Sequence, residues 1–405
     1  METIEVRTEK TVFGGETIAK VNSRTVFIPY ALPDETLSIN IVQQKNDYSK
    51  AQIIKIIEPS PYRIKSECRY YGVCGGCNLM HAAPDYQREL KKQMLINAFE
   101  KYKIDISDKI EIIKGPDYNY RARFQLTDGG LNEKNKNTVI PITQCLCAEK
   151  PVNDYLENTE FNQRPKGRVH IFGSSFIEGQ DKLKISEKED ENKTRIYGNR
   201  KKNLKLKENH YFTGTVSSPE NSVTVKLNGK SLSFDVRGFF QSNLFVFEKV
   251  LNLITDSLPG GKNCLDLYSG CASISAFLAD KYESVTLVEH NRDALVFAEQ
   301  NMAGKNHKSY GLSGENFVKN YASSLPRFDA CVVDPPRSGM ENAVCDYLCK
   351  SRIPFIHSLS CDPSTHSRDC ARLISSGYEL SKIYLLDFYP HTSHIESLAI
   401  FNLNI

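Results

Sequence analysis

A chain of 405 residues is longer than one hydrophobic core usually sustains, so two or three domains are expected. Composition is that of an ordinary globular protein, and a formal charge of +3 makes any nucleic-acid surface a local feature. The charged start METIEVRTEK lacks a signal-like apolar stretch, and no run approaches the roughly 20 apolar residues of a membrane span. Twelve cysteines are too sparse and too unevenly placed for a disulfide framework, so a reduced, cytoplasmic protein is expected.

Residues 1–58 alternate like short strands. TVFGG, ETIAKV, RTVFIPYAL, ETLSINIVQQ and KAQIIKIIE are punctuated by Gly, Asn, Pro and Asp. The spacing predicts a small antiparallel barrel of the oligonucleotide-binding kind, although a capping sheet without a ligand has the same pattern. Residues 59–235 follow as a central region. Pro59-Ser60-Pro61 reads as a linker, ECRYYGVCGGCNLMH carries three cysteines, and PDYQRELKKQMLINAFEKY reads as a helix opened by Pro84. The stretch from about 110 to 235 is mixed and turn-rich, and its segment RIYGNRKKNLKLK is a candidate basic patch.

From about 236 to 405 strands alternate with helices: NLFVFEKVLNLITDSL (helix), NCLDLYSG (strand), CASISAFLADKY (helix), SVTLVEH (strand), NRDALVFAEQNMAG (helix), RFDACVVDPPR (strand) and IPFIHSLSC (strand). KIYLLDFYP and ESLAIFNL close the chain as an expected hairpin at the sheet edge. This grammar predicts a doubly wound, mostly parallel sheet.

In such sheets ligands bind beyond the carboxyl ends of the strands. Asp266 and Tyr268 fall in the first strand-to-helix turn, and Asp334 of DPPR ends a later strand. Glu289 ends the second strand, 23 residues after Asp266, where an acid takes both ribose hydroxyls. The turn Y-S-G-C-A-S lacks the repeated glycines that grip a pyrophosphate, so S-adenosylmethionine fits better than a dinucleotide.

Cys68, Cys74 and Cys77 form C-x5-C-x2-C in a glycine-bearing turn, which indicates an iron–sulfur or metal site. Zinc is open from spacing alone, and either Cys145 or Cys147 of PITQCLC supplies a fourth thiol. Cys361, in SLSCDPSTHSRD, is delivered by a strand to a proline-stiffened loop. Beside a methyl donor, such a thiol serves as a covalent catalyst. Addition to pyrimidine C6 turns C5 into an enolate carbon able to attack a sulfonium methyl, and a base must then remove the C5 proton. Glu396 in HTSHIESLAIF is the best candidate, with His391 and His394 as loop residues that help place it. Cys264, Cys271, Cys331, Cys345, Cys349 and Cys370 read as small buried apolar residues.

These motifs together with FFQSN resemble, over essentially the whole length, the RNA uracil-C5 methyltransferases, in the branch with a TRAM domain and a [4Fe–4S] cluster. The resemblance implies a multidomain α/β protein with a TRAM/OB-like barrel, a central α+β iron–sulfur domain and a Rossmann-like methyltransferase domain. It implies cluster ligands Cys68, Cys74, Cys77 and Cys145, S-adenosylmethionine contacts at Gln241, Tyr268, Glu289 and Asp334, nucleophile Cys361 and base Glu396. One departure is in the cofactor turn, where Ser269 and Ala272 replace the cysteine and second glycine of D-x-x-C-G-x-G.

The expected activity is formation of 5-methyluridine in structured RNA by a monomer, with ribosomal RNA favoured over transfer RNA by analogy. The target base is expected to flip out, with Phe239 and Phe240 as stacking candidates. Rival readings are cytosine-C5 methylation, amino-group methylation, and an RNA-binding iron–sulfur protein with an inactive methylase fold.

Overall fold

The computed structural model describes residues 3–186 and 221–403; the basic segment RIYGNRKKNLKLK lies outside the described residues. The chain divides into two compact units. One comprises 1–108, 131–140 and 389–395, and the other 109–130, 141–388 and 396–405. Among the described residues no helix is long and apolar enough to cross a membrane.

The first unit opens with β1 (Ile4–Thr11), β2 (Glu16–Val21), β3 (Arg24–Pro29), β4 (Thr36–Gln44) and β5 (Tyr48–Glu58). They close into a barrel in the order β1-β2-β3-β5-β4. The charge-rich start is itself a strand, because Val6 and Thr8 alternate inward between exposed charges. TVFGG, expected as a strand, is the turn that follows it, with Gly14 and Gly15 both at positive φ. Val6, Val26, Ile28, Leu37 and Ile39 fill the barrel.

Glu35 is sealed under this core. Its carboxylate accepts from the Leu32 amide (2.8 Å), the Ser60 amide (3.1 Å) and Arg63 Nη2 (2.7 Å), with Arg63 Nε as a further donor. Burial raises its proton affinity, but the Arg63 and amide hydrogen bonds outweigh that and hold the carboxyl below the usual glutamate range.

Helix α1 (Pro84–Glu100) begins at its proline and buries Leu90, Met94, Leu95 and Phe99. It grips the segment 389–395. Gln87 Oε1 accepts from the His391 amide (2.7 Å), and buried Lys91 donates to the Tyr389 carbonyl (2.8 Å). A short hairpin, β8 (Leu131–Asn132) with β9 (Val139–Ile140), completes the unit.

The second unit contains β6 (Ile110–Ile113), β7 (Arg123–Thr127), α2 (Lys150–Asn158), β10 (Arg168–Gly173) and β11 (Leu183–Ile185). After the undescribed stretch come β12 (Ser222–Leu227), β13 (Lys230–Asp235) and α3 (Leu244–Asp256). The alternating part is β14 (Gly261–Leu267), α4 (Ser275–Leu278), β15 (Tyr282–Val288), α5 (Arg292–Asn301), β16 (His307–Tyr310), α6 (Gly314–Asn320) and β17 (Ala330–Val333). It ends with α7 (Asn342–Ser351), β18 (Phe355–Ser360), α8 (Pro363–Ser375), β19 (Tyr378–Leu386) and β20 (Glu396–Leu403).

One eight-stranded sheet runs β16-β15-β14-β17-β18-β20-β19-β6. Strands β14 to β18 are parallel, and β20 is antiparallel to both neighbours. The strand order reverses between β14 and β17, which is where ligands bind in open α/β sheets. The final hairpin is not the edge: β6 pairs with β19 and covers it. The expected helix over CASISAFLADKY shrinks to α4, because Tyr282 already belongs to β15. Two- and three-stranded sheets, β12-β13 and β11-β10-β7, stand apart from the large one.

Replacing Glu35 by Gln leaves Arg63 without its counter-charge and is expected to cost about 3 kcal/mol at neutral pH. Because the carboxyl's proton affinity is depressed, its contribution is present above the unfolded-state value and fades as pH falls through the folded one. Urea unfolding of the full chain should show a gap between variant and wild type that narrows in acid; equal stability at pH 7 would count against the pair.

Candidate active site

The cofactor side of the site is built on the β14 turn. Asp266 is buried and accepts from Ser275 Oγ at the start of α4. Burial pushes its carboxyl up to about 7, with the Asp334 and Glu289 charges adding against the Ser275 hydrogen bond. Tyr268, Gly270 and Ala272 all adopt positive φ, at 63°, 55° and 63°. Glu289, at the end of β15, is nearly buried and accepts from the Gly270 amide (3.0 Å) and the Asn291 amide (2.6 Å). Its carboxylate is therefore fixed on the turn. Tyr268 donates to Glu341 Oε2 (2.9 Å); burial, reinforced by Glu341, pushes its phenol up and keeps it neutral.

Gln241 and Ser269 carry the sign of a ligand. Both side chains are more than nine-tenths buried, and neither Gln241 Oε1 nor Ser269 Oγ has a hydrogen-bond partner. Buried polar atoms are costly when unpaired, so a polar molecule at this turn fits the residues present. Phe240 next to Gln241 is core, stacked on Phe234 at 3.9 Å, whereas Phe239 is 68% exposed.

The chemical side follows from strand register. Antiparallel pairing sets Ser360 of β18 opposite Ser397 of β20, so Cys361 and Glu396 are the next residues out on adjacent strands. Both are half-buried. Asp334 leaves β17, whose Val333 pairs with Ser358 of β18, and burial pushes its carboxyl up to about 6. The loop after Cys361 is stiff: Asp362 caps α8 through the Ser364 and Thr365 amides (2.9 and 3.0 Å), and Pro363 occupies the first turn. Burial raises the Cys361 thiol above its ordinary value, the Glu396 and Asp334 charges add to that, and Arg337 opposes. A thiol with a carboxylate one strand away can add to, and deprotonate, an electrophilic ring.

The thiols of the cysteine turn are half-buried, and the Gly76 amide donates to Cys74 Sγ at 3.4 Å. Among the described residues no three His, Cys, Asp or Glu side chains are gathered to hold a metal ion. Cys68, Cys74 and Cys77 belong to the first unit and Cys145 to the second, where its thiol hydrogen-bonds Cys147 and is pushed up by that contact and by burial. His391 is buried against Gln87, and His394 is exposed beside Tyr389. Of the six cysteines read as packing residues, five are buried and Cys349 is half-buried.

Two members of the site were not singled out in the sequence. Arg337 is visible in DPPR but carries no spacing signal of its own. Glu341 caps the region from a loop, binding the Tyr268 hydroxyl and the Glu315 amide (3.0 Å), and nothing in its neighbours marks it.

The sheet order is that of a Rossmann-like methyltransferase fold. Residues 83–402 match the family model described as tRNA (uracil-5-)-methyltransferase, and residues 1–54 match the TRAM domain. An uncharacterized RNA methyltransferase of Treponema denticola is 36% identical, covering 98% of this chain and 99% of the relative. The 23S rRNA (uracil(1939)-C(5))-methyltransferase RlmD of Haemophilus ducreyi is 27% identical, covering 96% and 92%. The Pyrococcus abyssi tRNA (uracil-54, C5)-methyltransferase, solved with S-adenosyl-L-homocysteine, shares the fold with a TM-score of 0.72 at 19% identity, covering 98% of this chain and 100% of that one. The chain belongs to the RNA uracil-C5 methyltransferase family, and its barrel is a TRAM domain.

The charges around Cys361 set the sign of a simple test. Glu396→Gln should lower the pH at which Cys361 becomes alkylated by iodoacetamide, and Arg337→Ala should raise it, read by peptide mass spectrometry across a pH series. Coincident profiles for all three proteins would show that neither charge reaches the thiol.

Proposed function

We propose that this chain converts a uridine of 23S ribosomal RNA to 5-methyluridine, with Cys361 as nucleophile and Glu396 as base. The observation that carries the reading is the pairing of β18 with β20, which presents both residues at one sheet end beside Asp334. S-adenosylmethionine, when bound, supplies an electrophilic methyl group on a sulfonium. Glu289 would hold its ribose, Gln241 and Ser269 would satisfy its polar groups, and Tyr268 and Asp334 would border it.

Cys361 loses its proton to solvent and its sulfur forms a bond to C6 of the flipped uracil. The C5–C6 π electrons move to make an enolate, with C5 as the carbon that accepts the methyl group. Glu396 then takes the C5 proton. The electrons of that C–H bond re-form the C5–C6 double bond and expel the Cys361 thiolate, which restores the enzyme. Exposed Phe239 supplies a face on which the flipped base stacks.

The ribosomal substrate draws on full-length relatives such as the Haemophilus ducreyi protein. A transfer-RNA uridine is the second reading, favoured by the name of the Pyrococcus abyssi protein with the same fold. Mapping 5-methyluridine in ribosomal and transfer RNA from cells with and without the gene separates the two.

RNA carrying 5-fluorouridine at the target should stall after methyl transfer, because fluorine cannot leave as a cation. The expected product is a covalent protein–RNA adduct that survives denaturing electrophoresis and contains label from the methyl donor. Cys361→Ala should abolish it while S-adenosylmethionine still binds, and Glu396→Gln should accumulate a similar adduct on ordinary uridine. Adduct formation by Cys361→Ala would assign the nucleophile elsewhere.

Cys68, Cys74 and Cys77, with Cys145 by family resemblance, would hold a [4Fe–4S] cluster. Support for it is the thiol-only donor set in a glycine turn whose Gly76 amide already points at sulfur. Methyl transfer is redox-neutral, so the cluster would serve folding. Anaerobically purified protein should contain about four irons and four sulfides per chain. Cys145→Ser should lose them more completely than Cys147→Ser, and stoichiometric zinc without sulfide would overturn the assignment.

A further inference from the structure

The small sheet β11-β10-β7 of the second unit has an unusual charge pattern. None of its residues is Asp or Glu. Register sets Arg168 opposite Thr127, His170 opposite Gln125 and Phe172 opposite Arg123. Val169, Ile171, Phe124 and Leu126 are buried, so alternation places Arg168, His170, Gln125 and Arg123 on the other face. Lys184 of β11 pairs with Phe172 and joins that face. Arg168 Nη2 donates to Gln125 Oε1 at 2.6 Å, which extends the guanidinium over the sheet. A merely solvated face mixes both signs; this one carries cations alone.

The face also leads somewhere. Phe172 packs edge-on against Phe234 (4.9 Å) and Phe240 (6.3 Å), and Arg123 Nη2 donates to the Arg237 carbonyl (3.2 Å). Arg237 lies two residues before exposed Phe239, and Phe240 directly after it, in the loop that ends at Gln241. Four strand steps run from exposed Arg168 to buried Phe172, spanning roughly 13 Å toward that loop.

We propose that this face holds the phosphate backbone of the RNA strand whose uridine is methylated, with Arg168 and Lys184 neutralising phosphates while Phe239 meets the target base. The inference rests on the RNA-methylating reading above and assigns its substrate track. Each phosphate contact adds about 0.7–0.9 to the slope of log affinity against log salt.

The test is fluorescence anisotropy of the full-length protein on a hairpin RNA with one loop uridine, over a salt series. The variant Arg168→Ala/Lys184→Ala should bind more weakly at low salt and lose about 1.5 from the slope. Arg168→Lys should keep the wild-type slope. S-adenosylmethionine affinity and thermal unfolding serve as controls for folding. A double variant that folds and binds with the wild-type slope overturns this inference and leaves the methyltransferase reading intact. Wild-type protein that binds no RNA overturns both.

Discussion

The placing of Cys361 beside Glu396 depends on one antiparallel strand inside a parallel sheet. Strand β20 lies between β18 and β19 and runs against both, so its first residue meets the last residues of β18. A parallel β20 would carry Glu396 to the opposite end of the sheet, far from the crevice. Register matters as much as direction, because a slip of one residue turns every side chain to the other face. Ser397 resists such a slip: its Oγ is 2.7 Å from Nδ1 of His366, buried in α8. Burial pushes His366 down to about 4, so it stays neutral at working pH and the contact persists. The helix that starts from the Cys361 loop thus locks the strand that carries Glu396.

The same crevice concentrates negative charge. Asp266, Glu289, Asp334 and Glu396 all lie at strand ends; burial raises the proton affinity of Asp334, and burial together with the Asp334 and Glu289 charges raises that of Asp266. Such crowding is unfavourable for an anionic ligand and favourable for a cationic one, which suits a sulfonium better than a pyrophosphate. Cys361 feels the same field, and Arg337 is the cation that opposes it there. Burial and these charges together favour the protonated thiol.

Most of this was legible because the chemistry sits at strand ends, where hydrophobic runs stop abruptly at polar residues. LDLYSG, VVDPPR and SLSCDP each show that break, and Asp266, Asp334 and Cys361 were found by it. Strand direction was harder, since a hairpin reads the same whether it ends a sheet or inserts into one; β6, which covers β19, is too short at four residues to announce itself. Strand β1 was hidden by its charges, with only Val6, Thr8 and Thr11 marking the inward face. Glu341 and Arg337 act through partners distant in sequence, which no local pattern encodes. The thiols of the cysteine turn were legible as a spacing, but spacing alone does not fix how the loop folds.

The cofactor turn shows what a departure from a family pattern costs and what contains it. A non-glycine residue in the left-handed region is unfavourable by about 1–2 kcal/mol, and here Tyr268 and Ala272 both adopt it. Such strain persists only where the surroundings over-determine it. The Gly270 amide is held by Glu289, the Ser269 amide by the Val288 carbonyl (3.1 Å), and the Cys271 carbonyl by Asn301 Nδ2 (2.8 Å). Asn301 also spans both backbone groups of Ser233 in β13, at 2.7 and 2.8 Å. One amide side chain therefore joins the cofactor turn to the strand that leads into Phe239, Phe240 and Gln241. With its ends tied at three points, the turn cannot relax by swinging open. Alanine at 272 then makes it stiffer than glycine would, and a stiff turn gives up less entropy when it closes on a ligand.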